Sequence, residues 1–151
     1  MKSRRASNED DNMNVGAFLY LRISGDDLDF DEISRTTNEI PCNTYTKGDV
    51  IKNQFFANTI TEDCWQSEYH VPKEQSLNEA ILSFLQPYVM QESYIVNLSK
   101  KNRVTLYLSA YPESYQYCIN LSKEAIATLY RLNIEFEIVL ATLSDFYDVK
   151  E

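Results

Sequence analysis

Residues 122–142 read SKEAIATLYRLNIEFEIVLAT, and this stretch indicates a helix that is followed by a strand. Ser122 can cap the helix, Glu124 lies in its first turn, and Asn133 closes it. From residue 134 to 142 apolar and polar side chains alternate, which predicts a strand with one buried face. Its expected inward side chains are Ile134, Phe136, Ile138 and Leu140, and its expected outward side chains are Glu135, Glu137 and Val139.

Two other stretches alternate in the same way and predict two further strands. Residues 15–24 read VGAFLYLRIS, and residues 103–110 read RVTLYLSA. In each stretch the apolar aliphatic side chains recur at every second position, so that they share one face of the strand. The expected inward side chains are Ala17, Leu19, Leu21 and Ile23 in the first strand and Val104, Leu106 and Leu108 in the second.

Capping signals mark two more helical regions. Asp29 and Glu32 have the spacing of a capping box, which predicts a short helix. Ser76 can begin a second helix whose apolar residues lie three and four positions apart. Pro87 is expected to end or kink that helix, before another helical segment runs to about residue 99. Two further strands are predicted over residues 52–61 and 64–70, as a pair joined at residues 62–63, and another over residues 115–121.

Strand, capped helix and strand thus occur near the start of the chain and again near its end. Two such units are typical of a ferredoxin-like fold, so we expect an α+β protein with an antiparallel or mixed sheet and helices packed on one face. Residues 1–14 are polar and predict a disordered N-terminal arm. Residues 15–151 are expected to form a single domain, because a chain of this length can bury a self-sufficient core.

The charge of the chain restricts its partners. It carries 14 Lys and Arg against 23 Asp and Glu, a formal net charge of −9. An acidic field repels nucleic acid and attracts a basic protein, so we expect no nucleic-acid partner. Three cysteines without CxxC spacing predict a reducing compartment, and no apolar run is long enough for a membrane span. A cytoplasmic location without membrane association is the resulting expectation.

The titratable residues form no recognisable catalytic or metal-binding motif. Asp27, Asp29 and Asp31 have the spacing that opens a calcium loop, but the required glycine and the closing glutamate are missing. His70 and Cys64 would share one face of a strand, yet two ligands are too few for a structural zinc site. Three scattered glycines form no phosphate-binding loop. We therefore expect no catalytic residues, no metal and no cofactor.

The outward side chains of the predicted sheet form the candidate partner-binding site. The eleven tyrosines of the chain exceed the usual number, and tyrosine is enriched at interfaces. The alternative is that these aromatic side chains pack beneath the N-terminal arm or a helical segment near Tyr94. The candidate residues are Phe18, Tyr20, Arg22, Tyr107, Glu135 and Glu137, together with Asp26 and Asp27 in the turn after the first strand.

Several short motifs resemble those of a known family. They are the run LRISGDDLDFDEI at residues 21–33, Ile40-Pro41, Lys47-Gly48-Asp49, Cys64-Trp65 and the helix–strand unit near the end of the chain. In this order they are similar to the bacterial domain-of-unknown-function family 4279, over about Val15 to Thr142. The resemblance implies a small α+β fold in a bacterial cytosol. It implies no activity and no catalytic residues.

Two functional hypotheses of different classes follow. The first is a non-catalytic immunity protein that neutralises a basic toxin domain, since the chain is small, acidic and without a catalytic motif. The second is a small-ligand or substrate-handling domain with a pocket near Trp65, His70 and the turn at residues 25–29. A homodimer formed through an exposed edge strand is a third possibility, because the sequence does not determine the oligomeric state.

Overall fold

The computed structural model describes residues 17–110 and 118–140. The predicted N-terminal arm at residues 1–14 lies outside the described residues, as do the last eleven residues of the chain. The helices are α1 (Phe30–Thr37), α2 (Leu77–Met90), α3 (Glu92–Lys101) and α4 (Lys123–Arg131). The strands are β1 (Phe18–Gly25), β2 (Asn43–Tyr45), β3 (Val50–Lys52), β4 (Ala57–Thr59), β5 (Asp63–His70), β6 (Arg103–Ala110) and β7 (Glu135–Leu140).

Five strands form one mixed sheet in the order β2-β5-β1-β6-β7, which confirms the predicted α+β class. All neighbours in this sheet are antiparallel except β6 and β7, which are parallel and are connected through α4. The short strands β3 and β4 pair separately as a hairpin.

The strand order departs from the expected ferredoxin-like arrangement. A ferredoxin-like fold interleaves two split β-α-β units, in which another strand lies between the parallel strands of each unit. Here β6 and β7 are direct neighbours, and β5 returns beside β1 in the antiparallel direction. The chain between α1 and β5 contains β2 and the β3–β4 hairpin, and this long connection lets β5 enter from the opposite end of the sheet.

The core lies between one face of the sheet and the helices. Trp65, Leu21 and Leu106 are fully buried and belong to the same hydrophobic cluster as Ile33 of α1 and Ile81 of α2. The cluster also contains Ile95 of α3 and Leu129 of α4, so all four helices pack on this face of the sheet. No helix within the described residues is long and apolar enough to cross a membrane.

Local capping signals correctly predicted where helices begin. Asp29 accepts a hydrogen bond from the Glu32 backbone N–H at 3.0 Å, and α1 begins at the next residue. Ser76 and Ser122 cap α2 and α4 in the same way. Asn133 follows Leu132, the C-terminal cap of α4, and adopts a left-handed conformation with φ of 56°, as expected for a residue that ends a helix.

Four local predictions require correction. Helix α2 does not end at Pro87 but continues to Met90, and the break before α3 falls at Gln91. Residues 52–61 do not form one strand paired with residues 64–70. They contain the last residue of β3, a turn at residues 53–56 and β4, and β4 pairs with β3, whereas β5 pairs with β1 and β2. Residues 118–121 form no strand, and the rest of that predicted strand lies outside the described residues. Ile138 and Leu140 of β7 are 41% and 51% exposed rather than buried, because β7 is an edge strand.

Candidate binding surface on the open face of the sheet

Within residues 17–110 and 118–140, all four helices pack on one face of the five-stranded sheet, and we call the side chains of the opposite face the open face. Strand pairing aligns these side chains in rows, because residues directly opposite each other on neighbouring strands point to the same side. On the four longer strands the open face consists of Cys64, Gln66, Glu68 and His70 of β5, Phe18, Tyr20, Arg22 and Ser24 of β1, Arg103, Thr105, Tyr107 and Ser109 of β6, and Glu135, Glu137 and Val139 of β7.

The central row of the open face consists of two adjacent tyrosines with a glutamate on either side. Tyr20 lies opposite Glu68 on β5 and opposite Tyr107 on β6, and Tyr107 lies opposite Glu137 on β7. Both tyrosines are half-buried, Glu137 is exposed, and the Glu68 side chain is 28% exposed. Glu68 also approaches His70, with 3.0 Å between Oε1 and Nε2. The row therefore presents aromatic surface with a carboxylate at each end.

A second row fixes Arg22 on the open face. Its Nε donates a hydrogen bond of 3.0 Å to Gln66 Oε1, and its guanidinium carbon lies 4.9 Å from the centre of the Tyr107 ring. Arg22 also lies opposite Thr105, which in turn lies opposite Glu135. The hydrogen bond and the ring together restrict Arg22 to one position over the sheet.

A third row extends the aromatic surface along β1. The ring of Phe18 stacks with Tyr20 at a centroid separation of 6.2 Å and meets His70 edge-on at 4.3 Å. Six of the eight candidate residues thus lie together on the open face: Phe18, Tyr20, Arg22, Tyr107, Glu135 and Glu137.

The other two candidates, Asp26 and Asp27, lie apart from the open face in the loop after β1. The Asp26 carboxylate is exposed and lies 3.5 Å from Lys47 Nζ. Asp27 lines an open acidic groove with Asp29, Asp31 and Asp63. The structure therefore divides the predicted site between two regions.

The Asp63 carboxylate holds the loop that forms the acidic groove through backbone hydrogen bonds. One of its carboxylate oxygens accepts a hydrogen bond from the Leu28 N–H at 3.0 Å, and the other accepts one from the Lys47 N–H at 2.8 Å. Asp63 thereby joins the loop after β1 to the loop between β2 and β3. Within the described part of the chain, no three His, Cys, Asp or Glu side chains are placed to hold a metal ion.

The residues of the predicted small-ligand pocket do not come together. Trp65 faces the core and donates from its indole N–H to Ser34 Oγ at 3.0 Å, whereas His70 lies on the open face. Cys64 and His70 do share that face, but they occupy opposite ends of β5, about 20 Å apart at 3.3 Å per residue. Burial raises the pKa of the Cys64 thiol, so it is protonated at neutral pH.

A cleft of about 300 Å³ opens at one end of the open face. Its sheet side is formed by Arg22, Arg103 and Tyr107, and its outer wall is the chain from Thr59 to Glu62 at the base of the β3–β4 hairpin. Sequence reasoning missed this cleft, because it depends on where the hairpin folds back over the sheet.

The tip of the β3–β4 hairpin presents two exposed aromatic side chains. Asn53 Oδ1 accepts hydrogen bonds from the N–H groups of Phe55 and Phe56 at 2.8 and 2.9 Å, and its own N–H donates to the Phe56 carbonyl. This turn leaves Phe55 83% exposed. Asn53 is the sequence signal that could have revealed the turn, since asparagine favours such side-chain-to-backbone turns.

Comparison with known proteins agrees with the motifs and the fold. No curated protein and no solved structure matches the chain significantly. The sequence model of the family described as "Domain of unknown function (DUF4279)" matches residues 14–143, which includes every described helix and strand. The chain therefore belongs to the DUF4279 family of domains of unknown function.

Proposed function

We propose that this chain is a non-catalytic protein-binding domain, and that its open face captures a basic partner. The observation that carries the proposal is the central row of the open face, in which Tyr20 and Tyr107 lie between Glu68 and Glu137. The carboxylates attract cationic side chains through charge, and the tyrosines between them supply aromatic surface and hydroxyl groups of the kind that is enriched at interfaces. This row therefore suits the lysines and arginines of a basic protein surface.

The open face is smaller than a standard protein interface, so a partner must also contact neighbouring parts of the chain. Three strands of eight residues and one of six, side by side, cover roughly 500 Å² at about 3.3 Å per residue and about 4.8 Å between strands. A standard protein interface buries about 800 Å² on each side. The Phe55 and Phe56 tip of the hairpin can supply further area, and exposed aromatic side chains are common interface anchors.

The net charge of −9 suggests the biological role. A strongly acidic binding domain accelerates the capture of a cationic protein, because the two attract each other before contact. We propose that the partner is a basic toxin domain and that this chain acts as its immunity protein in the cytoplasm.

The test is affinity capture from the source organism at low and high salt, with matched variants of the tagged protein. We expect the wild type to retain a basic protein that high salt releases. Glu137→Lys should abolish capture, whereas Glu74→Lys, which makes the same charge change at an exposed site outside the open face, should retain it. Phe55→Ala should weaken capture if the hairpin contributes to the interface.

The immunity role requires a second measurement with the captured protein itself. Expressed alone in a test cell it should be toxic, and co-expression with this chain should restore growth. The proposed surface is wrong if Glu137→Lys and Glu74→Lys capture equally well. The immunity role is wrong if the captured protein is harmless.

A small-ligand function is the second candidate, and the cleft beside the hairpin favours it. Its volume of about 300 Å³ lies at the lower end of the range for ligand sites. A thermal-shift screen of metabolites should then identify a compound that raises the melting temperature, because a ligand that binds only the folded state stabilises it.

A further inference from the structure

We propose that the cleft binds a small organic oxyanion, a carboxylate or a phosphate, between the guanidinium groups of Arg22 and Arg103. This site lies at one end of the open face and does not depend on the proposed capture of a basic partner. It gives the small-ligand candidate a chemical class of ligand.

Arg22 is held in place by neutral groups. Its Nε donates to Gln66, and its guanidinium lies over the Tyr107 ring. No carboxylate among the described residues forms an ion pair with it, although acidic side chains outnumber basic ones in this chain. Because Gln66 occupies one of the five N–H donors of the guanidinium, the other four remain for an oxyanion.

Arg103 supplies a second positive charge on the same face. Its Cα partner on β1 is Ser24, two residues beyond Arg22, so the two arginines are diagonal neighbours on adjacent strands. Its contact with Glu135 is long, at 3.9 Å, and the Arg103 side chain is 66% exposed. Such an exposed pair contributes little free energy, so Arg103 can turn toward a ligand at small cost.

Polar neighbours complete the site. Thr59 and Thr61 line the cleft opposite the arginines, and hydroxyl groups can donate hydrogen bonds to an oxyanion.

Glu62 sets the selectivity of the cleft. Glu62 also lines the cleft, and its negative charge opposes a second negative charge on a ligand. A ligand with one oxyanion and a hydrogen-bond donor or cationic group at its other end would satisfy both arginines and Glu62. The neutral Cys64 thiol adds no opposing charge.

The experiment is an NMR titration of the full chain with inorganic phosphate, and separately with acetate, at constant ionic strength. We expect saturable shifts of the Arg22 Nε–H signal and of the Ser24, Cys64 and Tyr107 amides. The stronger of the two probes identifies which oxyanion the site prefers. Shifts that stay linear with concentration, or that spread evenly over the basic residues, would overturn the proposal.

Matched variants make the titration decisive. Arg22→Gln and Arg103→Gln should each weaken binding about tenfold, the loss expected for one charge-assisted hydrogen bond. Arg35→Gln, the same change on the exposed side of α1, should leave the affinity unaltered, and Glu62→Gln should raise it. If Arg22→Gln fails to fold, the affinity of Arg103→Gln for the oxyanion tests the proposal by itself. Equal affinities of Arg103→Gln and Arg35→Gln would contradict the site.

Discussion

At the scale of single residues, Asp63 shows how one carboxylate can join two loops that are distant in sequence. It stands at the first position of β5 and is almost fully buried. Its two oxygens satisfy the backbone N–H groups of Leu28 and Lys47, which lie 35 and 16 residues away in sequence. Buried N–H groups without a partner are costly, so these two loops depend on the carboxylate.

We expect Asp63→Asn to destabilise the protein by about 1–3 kcal/mol, because the amide places a donor where an oxygen now accepts from a backbone N–H. Asp26→Asn makes the same chemical change at an exposed carboxylate in the neighbouring loop and should cost less than about 1 kcal/mol. Urea unfolding measures both free energies, and hydrogen exchange should accelerate at the Leu28 and Lys47 amides only in Asp63→Asn. Equal losses in the two variants would contradict this role for Asp63.

Asp63 also shows which side-chain contacts cannot be predicted from the sequence. Asp29, Ser76 and Ser122 could be identified as caps, because each one binds a backbone group three residues away. The partners of Asp63 are distant in sequence, and no local pattern reveals them. The hydrogen bond from Arg22 to Gln66 spans 44 residues and was hidden for the same reason.

At the scale of elements, the end of β1 packs tightly against the end of α3. Gly25 is the last residue of β1, and a Cβ atom at this position would collide with Asn102 Oδ1 and lie 2.9 Å from Asn102 Cγ. The Asn102 amide is itself held by a hydrogen bond to the Leu98 carbonyl at 3.2 Å. The strand and the helix can meet at this point because residue 25 has no side chain.

Gly25→Ala should therefore reduce the free energy of unfolding by about 1–3 kcal/mol, as expected for added volume in a packed site. Asn102→Ala alone should cost about 0.5–1.5 kcal/mol through the lost hydrogen bond. In the double variant the collision is relieved, so its loss should be smaller than the sum of the two single losses. Chemical unfolding of the four proteins measures this coupling, and strictly additive losses would show that Gly25 and Asn102 do not collide.

The alternation of side chains predicted the open face because a strand has a period of two, which is a local property. Phe18, Tyr20, Arg22 and Tyr107 were assigned outward on that basis, and the register confirms the assignment. The arrangement of the sheet also depends on whether each connection brings the next strand back parallel or antiparallel to the strand before it. The direction of β5 is set by the segment from β2 to β4, and the three-residue strands of that segment are too short to show a sequence period.

At the scale of the whole molecule, stability depends on joining the helical layer to the sheet. Most of this interface is apolar, but Tyr88 of α2 and Ser67 of β5 share a buried hydrogen bond of 2.6 Å between their hydroxyl groups. Burial raises the pKa of the Tyr88 phenol well above its ordinary value of 10. The phenol therefore stays neutral in the folded protein at a pH where it ionises in the unfolded chain.

This difference predicts how stability changes in alkali. A group whose pKa is raised by folding stabilises the protein fully below its unfolded pKa, and that stabilisation is lost as the pH rises. Above about pH 10 the unfolded chain releases the Tyr88 proton while the folded protein keeps it, so the free energy of unfolding should fall by up to about 1.4 kcal/mol per pH unit. Urea unfolding from pH 8 to pH 11 tests this slope.

Tyr88→Phe separates this effect from other causes of alkaline unfolding. Near neutral pH the variant should lose about 1–3 kcal/mol, because Ser67 is left buried without its partner. Adding Ser67→Ala removes the unsatisfied hydroxyl, so the double variant should recover part of that loss. Both variants should show a shallower decline above about pH 10 than the wild type, since they lack the phenol that titrates. An identical decline in wild type and Tyr88→Phe would show that the buried phenol does not set the alkaline limit of the fold.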